Sequence, residues 1–122
     1  YCTFYGDMAG AITPLADVYK TEVYNLAEYV NRKKELIPKR MLEKAPSAEL
    51  RQNQRDRDTL PEYEYLDRVL KAYIEDDIIN ENEQSILACI KRNEFKRFQM
   101  PLGFKISKKA FGSGRDIPIV KQ

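Results

Sequence analysis

The run from Pro14 to Lys34 limits the fold more than any other stretch. Leu15, Val18, Tyr19, Val23, Leu26 and Val30 recur at three- and four-residue steps, the period of one helical face. Thr13 is a good N-cap and Pro14 suits the first helical position, so the spacing predicts a helix from 14 to about 34. Its last turn would be Arg32-Lys33-Lys34, cations at the negative end of the helix dipole. Pro38 then opens a short amphipathic turn through Met41 and Leu42, which Pro46-Ser47-Ala48-Glu49-Leu50 interrupts. Residues 51–59 are polar without apolar periodicity and read as a loop. A second helix is predicted from Pro61 to about Glu75, burying Tyr65 or Leu66 with Val69, Leu70, Tyr73 and Ile74. A third follows Asn80 and carries Ile86, Leu87, Ile90 and Phe95 inward.

Only Tyr1 to Tyr5 looks like a strand, stopping at Gly6-Asp7. A lone strand cannot satisfy its backbone donors and acceptors, so it needs neighbours from a parent protein or another chain. The opening residue is Tyr1 rather than methionine, and the expectation is a piece of a longer chain. At 122 residues, with 43% apolar and 33% charged side chains, there is room for one domain or less and a small core. The expected fold is mostly α, with one or few short strands. Beyond Pro101 the chain is irregular and basic, yet it holds Leu102, Phe104, Ile106, Phe111, Ile117, Ile119 and Val120, which implies a tail that packs across something.

The chain contains no histidine, which excludes Ser-His and Cys-His nucleophilic catalysis and every His-ligated metal site. Cys2 and Cys89 stand 87 residues apart, a spacing that matches no metal-ligand pattern, and read as reduced thiols of a cytoplasmic protein. The longest apolar run, Ile86 to Ile90, is far short of the ~18 residues needed to cross a bilayer, so neither a membrane span nor a signal peptide is expected. Charge is uneven. Residues 1–90 hold 12 basic against 17 acidic side chains, net −5, and residues 91–122 hold 9 against 2, net +7. That basic arm could meet nucleic acid, a nucleotide phosphate, or the acidic part of its own chain.

Three places could carry chemistry. Lys44-Ala45-Pro46-Ser47-Ala48-Glu49 puts a lysine and a hydroxyl at the entrance of a new helical turn, an arrangement that suits a phosphate oxygen; an N-capping serine is the ordinary alternative. Lys20 lies within the first predicted helix, where it could leave the apolar stripe for a ligand or simply be solvated. In Asn93-Glu94-Phe95-Lys96-Arg97-Phe98 the two cations could clamp an anion while a ring stacks on a base, or could be C-terminal helix cations beside core aromatics.

Taken together, six ordered segments resemble the carboxyl-terminal part of the NAD synthetase family, amidating ligases of the ATP-pyrophosphatase group. They are Tyr5-Gly6-Asp7-Met8; Ile12-Thr13-Pro14-Leu15 through Lys20-Thr21-Glu22-Val23-Tyr24; Pro46-Ser47-Ala48-Glu49-Leu50; Asp58-Thr59-Leu60-Pro61-Glu62-Tyr63; Asn93-Glu94-Phe95-Lys96-Arg97; and Phe111-Gly112-Ser113-Gly114-Arg115 with Pro118-Ile119. Phe4, Ala11 and Phe95 stand where the small, ammonia-using form has lysine, aspartate and histidine, so the likeness is to the large, glutamine-using form.

The resemblance implies that residues 1–122 are the C-terminal portion of an α/β Rossmann-like, adenine nucleotide alpha hydrolase-like domain. It implies adenylation of the nicotinate carboxylate of deamido-NAD by ATP, then amidation by ammonia. Ser47 would bind ATP phosphate, and Lys20 would meet the phosphates and stabilise charge on the departing pyrophosphate. Phe95 and Lys96 would contact deamido-NAD, with Tyr1, Thr3 and Phe4 along the nicotinate pocket, and the Asp58 loop would close over the site. The family's Ser-Gly-Gly-x-Asp-Ser loop, which supplies the main magnesium ligand, does not occur in these residues. Nor does a glutaminase domain with its catalytic cysteine. The implied partners are therefore the rest of a parent chain and further copies, with ATP and Mg2+ as cofactors, and this chain alone is expected to be inactive. Two other readings compete: a small helical module that docks Lys91 to Lys121 on nucleic acid, and a related ATP-pyrophosphatase ligase with another acid substrate, such as a purine-amidating enzyme.

Overall fold

Thr13 does not open a helix. In the computed structural model, which describes Gly6 and residues 9–110, Ile12 forms a parallel bridge with Leu102, and the Thr13 N–H donates to the Leu102 carbonyl at 2.8 Å. Residues 14–17 are a turn, closed by Ala16 N–H to Thr13 O and Val18 N–H to Leu15 O. Asp17 reaches away to the backbone of Ile106 and Ser107. The apolar spacing of 14–34 is therefore interrupted by a tie to the far end of the chain, which no local period reveals. The expected strand at Tyr1–Tyr5 and everything from Phe111 lie outside the described residues.

Four helices follow: α1 (Lys20–Asn31), α2 (Lys39–Glu43), α3 (Tyr63–Glu75) and α4 (Gln84–Arg97), with short 3-10 turns at Asp56–Asp58 and Glu81–Glu83. Helix α1 starts after an extended Tyr19, whose N–H donates to the Glu22 carboxylate at 3.2 Å, an acid in the first turn where the helix dipole favours it. It ends at Asn31. There the side-chain oxygen accepts the N–H groups of Leu36 and Ile37, both at 2.9 Å, and the amide donates to the Ile37 carbonyl. Arg32, Lys33 and Lys34 consequently lie beyond the helix rather than in its last turn. Pro38 precedes α2, as its fixed φ and missing N–H allow. Asn80 caps the turn before α4 by accepting the Asn82 N–H.

By contact, the chain divides into two compact units, Tyr19–Asp67 and the residues Tyr1–Val18 with Arg68–Gln122. In the first, Ala27 of α1 is buried, and Leu26 and Val30, which share the predicted apolar spacing, are exposed. In the second, Val69, Leu87 and Ala110 are buried, while Ile86, Ile90 and Phe95 of α4 are half-buried. Leu66, not Tyr65, is the inward residue of that pair on α3. Leu102, Phe104 and Ile106, expected to pack across something, are exposed within the described residues, Leu102 to 82%. The described residues are mostly helical, and the Ile12–Leu102 bridge is the one strand pairing among them.

Candidate functional site

The unit Tyr19–Asp67 holds a hollow of about 400 Å³. Helix α1 contributes Lys20, Val23, Tyr24 and Ala27; α2 contributes Met41 and Leu42; the segment after α2 contributes Lys44 to Ser47 and Glu49; Asp56 completes the wall. Lys20 and Ser47, singled out from sequence on separate grounds, thus line one cavity. A second hollow of about 450 Å³ shares Lys44, Ala45, Ser47 and Glu49 with it and is walled by the polar loop through Arg55.

Lys20 is the first residue of α1 rather than an interior one, since the helix begins later than its spacing predicts. Its ammonium stands 5.5 Å from the ring centroid of Tyr24 and 5.8 Å from that of Tyr63, within cation–π range of both. Placed at the positive end of α1, the ammonium and the helix dipole favour the same kind of ligand, an anion.

Ser47 caps no helix, because no helical turn follows it. Its Oγ accepts the Glu49 N–H at 3.0 Å, closing a tight turn. An oxygen that accepts this bond keeps its own O–H to donate, which suits an anionic oxygen in the hollow. Glu49 adopts φ 53°, a left-handed conformation costly for a residue with a Cβ, and its carboxylate pairs with Lys44 at 2.5 Å. The Lys44 ammonium holds the Glu49 carboxyl below its ordinary range, through the hydrogen bond first and charge attraction second. The Pro46 carbonyl accepts the Asp56 N–H at 2.9 Å, tying this segment to the 3-10 turn.

Asp58 lies in that 3-10 turn with one carboxylate oxygen on the Arg55 N–H at 2.9 Å, and it does not line the hollow. Asp56 does. It accepts the Tyr63 hydroxyl on Oδ2, while its Oδ1 is buried without a partner. Sequence reasoning missed Asp56, Tyr24 and Tyr63, whose meeting depends on long-range packing. It also missed Asp67, which is buried and accepts the Thr21 N–H at 2.7 Å. A signal existed for Asp67, because it shares the α3 face of Tyr63, Leu70 and Ile74 at three- and four-residue steps.

Phe95 and Lys96 stand half-buried in the last turn of α4, in the other unit. Arg97 does not join them as an anion clamp. Its Nε donates to the Glu94 carboxylate at 2.6 Å in a buried pair, and its guanidinium lies over the Phe98 ring. Lys96 has no ion-pair partner among the described residues. Tyr1, Thr3 and Phe4 lie outside the described residues. Lys109 of the basic arm is paired with Asp77, so the arm is partly neutralised within its own unit, which weighs against a nucleic-acid module.

The family described as NAD synthase matches residues 1–101. The chain is 45% identical to a glutamine-dependent NAD(+) synthetase of Aquifex aeolicus, over all of this chain and 23% of that protein. It is 46% identical to one of Acinetobacter baylyi, over 98% of this chain and 24% of that protein, and 42% identical to one of Thermotoga maritima, over all of this chain and 23% of that protein. The chain thus spans about a quarter of the length of these relatives. No solved structure matches it. With the family match covering most of its length, the chain belongs to the NAD synthase family.

Proposed function

We propose that residues 1–122 are the C-terminal part of the synthetase domain of a glutamine-dependent NAD synthetase, a Rossmann-like ATP-pyrophosphatase, and that Lys20 and Ser47 hold ATP phosphate in it. One observation carries this beyond family membership: an ammonium and a donor hydroxyl line the same hollow, beside the positive end of α1. In the reaction, a carboxylate oxygen of deamido-NAD attacks the α-phosphorus of ATP, and the bond to the β-phosphate breaks with departure of pyrophosphate. Ammonia then attacks the activated carboxyl carbon, AMP leaves with the bonding electron pair, and loss of a proton gives the amide of NAD. The relatives' names state dependence on glutamine, which would be the ammonia source.

Within this scheme Lys20 stabilises charge gathering on the departing pyrophosphate, and Ser47 donates to a phosphate oxygen. Phe95 and Lys96 face the dinucleotide, a role supported by the half-burial of Lys96 and its lack of an ion-pair partner among the described residues. Tyr1, Thr3 and Phe4 belong to the nicotinate pocket. Magnesium would accompany ATP, held mainly by the Ser-Gly-Gly-x-Asp-Ser loop of the parent chain; among the described residues no group of three or more Cys, Asp or Glu side chains converges. A cytoplasmic location accords with the helices, none of which, among the described residues, is long and apolar enough to cross a membrane.

In the full-length protein, Lys20→Ala is expected to slow pyrophosphate release roughly a hundredfold, leaving deamido-NAD binding unchanged. An unaltered release rate refutes the role of Lys20. The 122-residue chain by itself, given ATP, magnesium, deamido-NAD and ammonia, is expected to make no NAD.

A further inference from the structure

We infer that Tyr63 and Asp67 are positioning residues for Lys20, an inference that rests on the phosphate-binding reading of Lys20. Neither touches a reacting atom in the scheme above. On a helix, residues four apart lie one above the other, so α3 presents Tyr63 and, one turn on, Asp67 on one face. Both act on the first turn of α1.

Asp67 is 5% exposed, and a carboxylate so buried is costly unless it is hydrogen-bonded. Its Oδ2 accepts the N–H of Thr21 at 2.7 Å, across 46 residues of sequence. The first N–H groups of a helix have no partner within the helix, so Asp67 satisfies one of them and fixes the backbone next to Lys20. Tyr63 acts on the other end of the lysine. Its ring centroid stands 5.8 Å from the ammonium, which also lies 5.5 Å from the Tyr24 ring, and its hydroxyl donates to Asp56, which sets the ring's orientation. A lysine stem is long and torsionally free. The backbone anchor and the two rings restrict where its charge can stand, and misplacement of a catalytic charge by about 1 Å costs on the order of a hundredfold in rate.

The test is single-turnover pyrophosphate release by the full-length protein, with deamido-NAD binding as the check that each variant is folded. Tyr63→Leu removes the ring and is expected to slow release roughly tenfold at unchanged deamido-NAD affinity. Tyr63→Phe keeps the ring and should stay within about threefold of the parent. Asp67→Ala should slow release, and Asp67→Asn, which retains an acceptor oxygen, should restore most of the rate. Tyr63→Met replaces Tyr63→Leu if the latter does not fold. The decisive comparison repeats these changes in the Lys20→Ala background, where they are expected to slow release no further. The same fold-loss in both backgrounds means that Tyr63 and Asp67 act independently of Lys20, and overturns the inference. Unchanged release in Lys20→Ala itself overturns the phosphate reading instead, so the two failures are distinct.

Discussion

Ser107 gives Asp17 two hydrogen bonds, its backbone N–H at 2.6 Å and its hydroxyl at 2.9 Å, and the Ile106 N–H adds a third at 2.7 Å. One carboxylate thus organises a segment about ninety residues away in sequence. Hydrogen bonds to an ionised group contribute more than neutral ones, so Asp17→Ala is expected to cost about 2–3 kcal/mol in urea unfolding. Asp17→Asn, which keeps one acceptor oxygen, should cost visibly less. Equal losses for the two would show that the charge and not the hydrogen-bond set matters.

Gly103 sits in the same tie. A Cβ there would stand 3.1 Å from the Thr13 carbonyl oxygen and 3.3 Å from the Ala16 Cβ. The Thr13 backbone is itself bonded to Leu102, so it has little freedom to move aside. Gly103→Ala should therefore destabilise by about 1–3 kcal/mol, whereas Gly10→Ala, whose Cβ would meet only Pro101 Cγ at 3.8 Å, serves as the neutral control.

Glu94 and Arg97 form the buried ion pair of α4, with side chains 4% and 8% exposed. Removing one partner takes from the other buried charge the counter-charge that stands 2.6 Å from it, so Glu94→Gln or Arg97→Met is expected to destabilise by up to about 3–5 kcal/mol in thermal or chemical unfolding. Replacing both with apolar residues of like volume should cost far less than the two single losses added together.

Glu49 gives a pH dependence whose sign is fixed. A carboxyl held below its ordinary value of 4.5 adds stability that is fully present above that value and is lost as pH falls through the lower, folded one. The attraction between Lys44 and Glu49 is accordingly present at neutral pH and weakens on acidification. Titration of the Glu49 carboxyl by NMR should give a midpoint below 4.5 that rises toward it in Lys44→Ala and in high salt. A midpoint unmoved by Lys44→Ala would falsify the pairing.

Local signals predicted what local forces control. The apolar period of α3 and α4, the proline before α2 and the asparagine before α4 all appear close to where the spacing puts them. Helix α1 starts six residues late because Thr13 and Asp17 are bound to Leu102, Ile106 and Ser107, partners from the other end of the chain. Of the site, Lys20 and Ser47 were legible as residue types that suit phosphate, and the family resemblance gave them roles. Asp56 and Tyr63 were not legible, since their junction with Lys20 exists only once α1 and α3 meet. Asp67 and Glu94 were half legible: each is an acid on an apolar helical face, a conflict that marks a buried partner without naming it.

All residues lining the first hollow fall between Lys20 and Asp56. Closing that wall requires only short excursions of the backbone, which carry a small entropic penalty and close quickly. The clasp between Asp17 and Ser107 spans ninety residues and must wait for both ends. A ribosome emitting these residues in order would thus release everything that walls the first hollow before the residues that later fasten Asp17 have emerged.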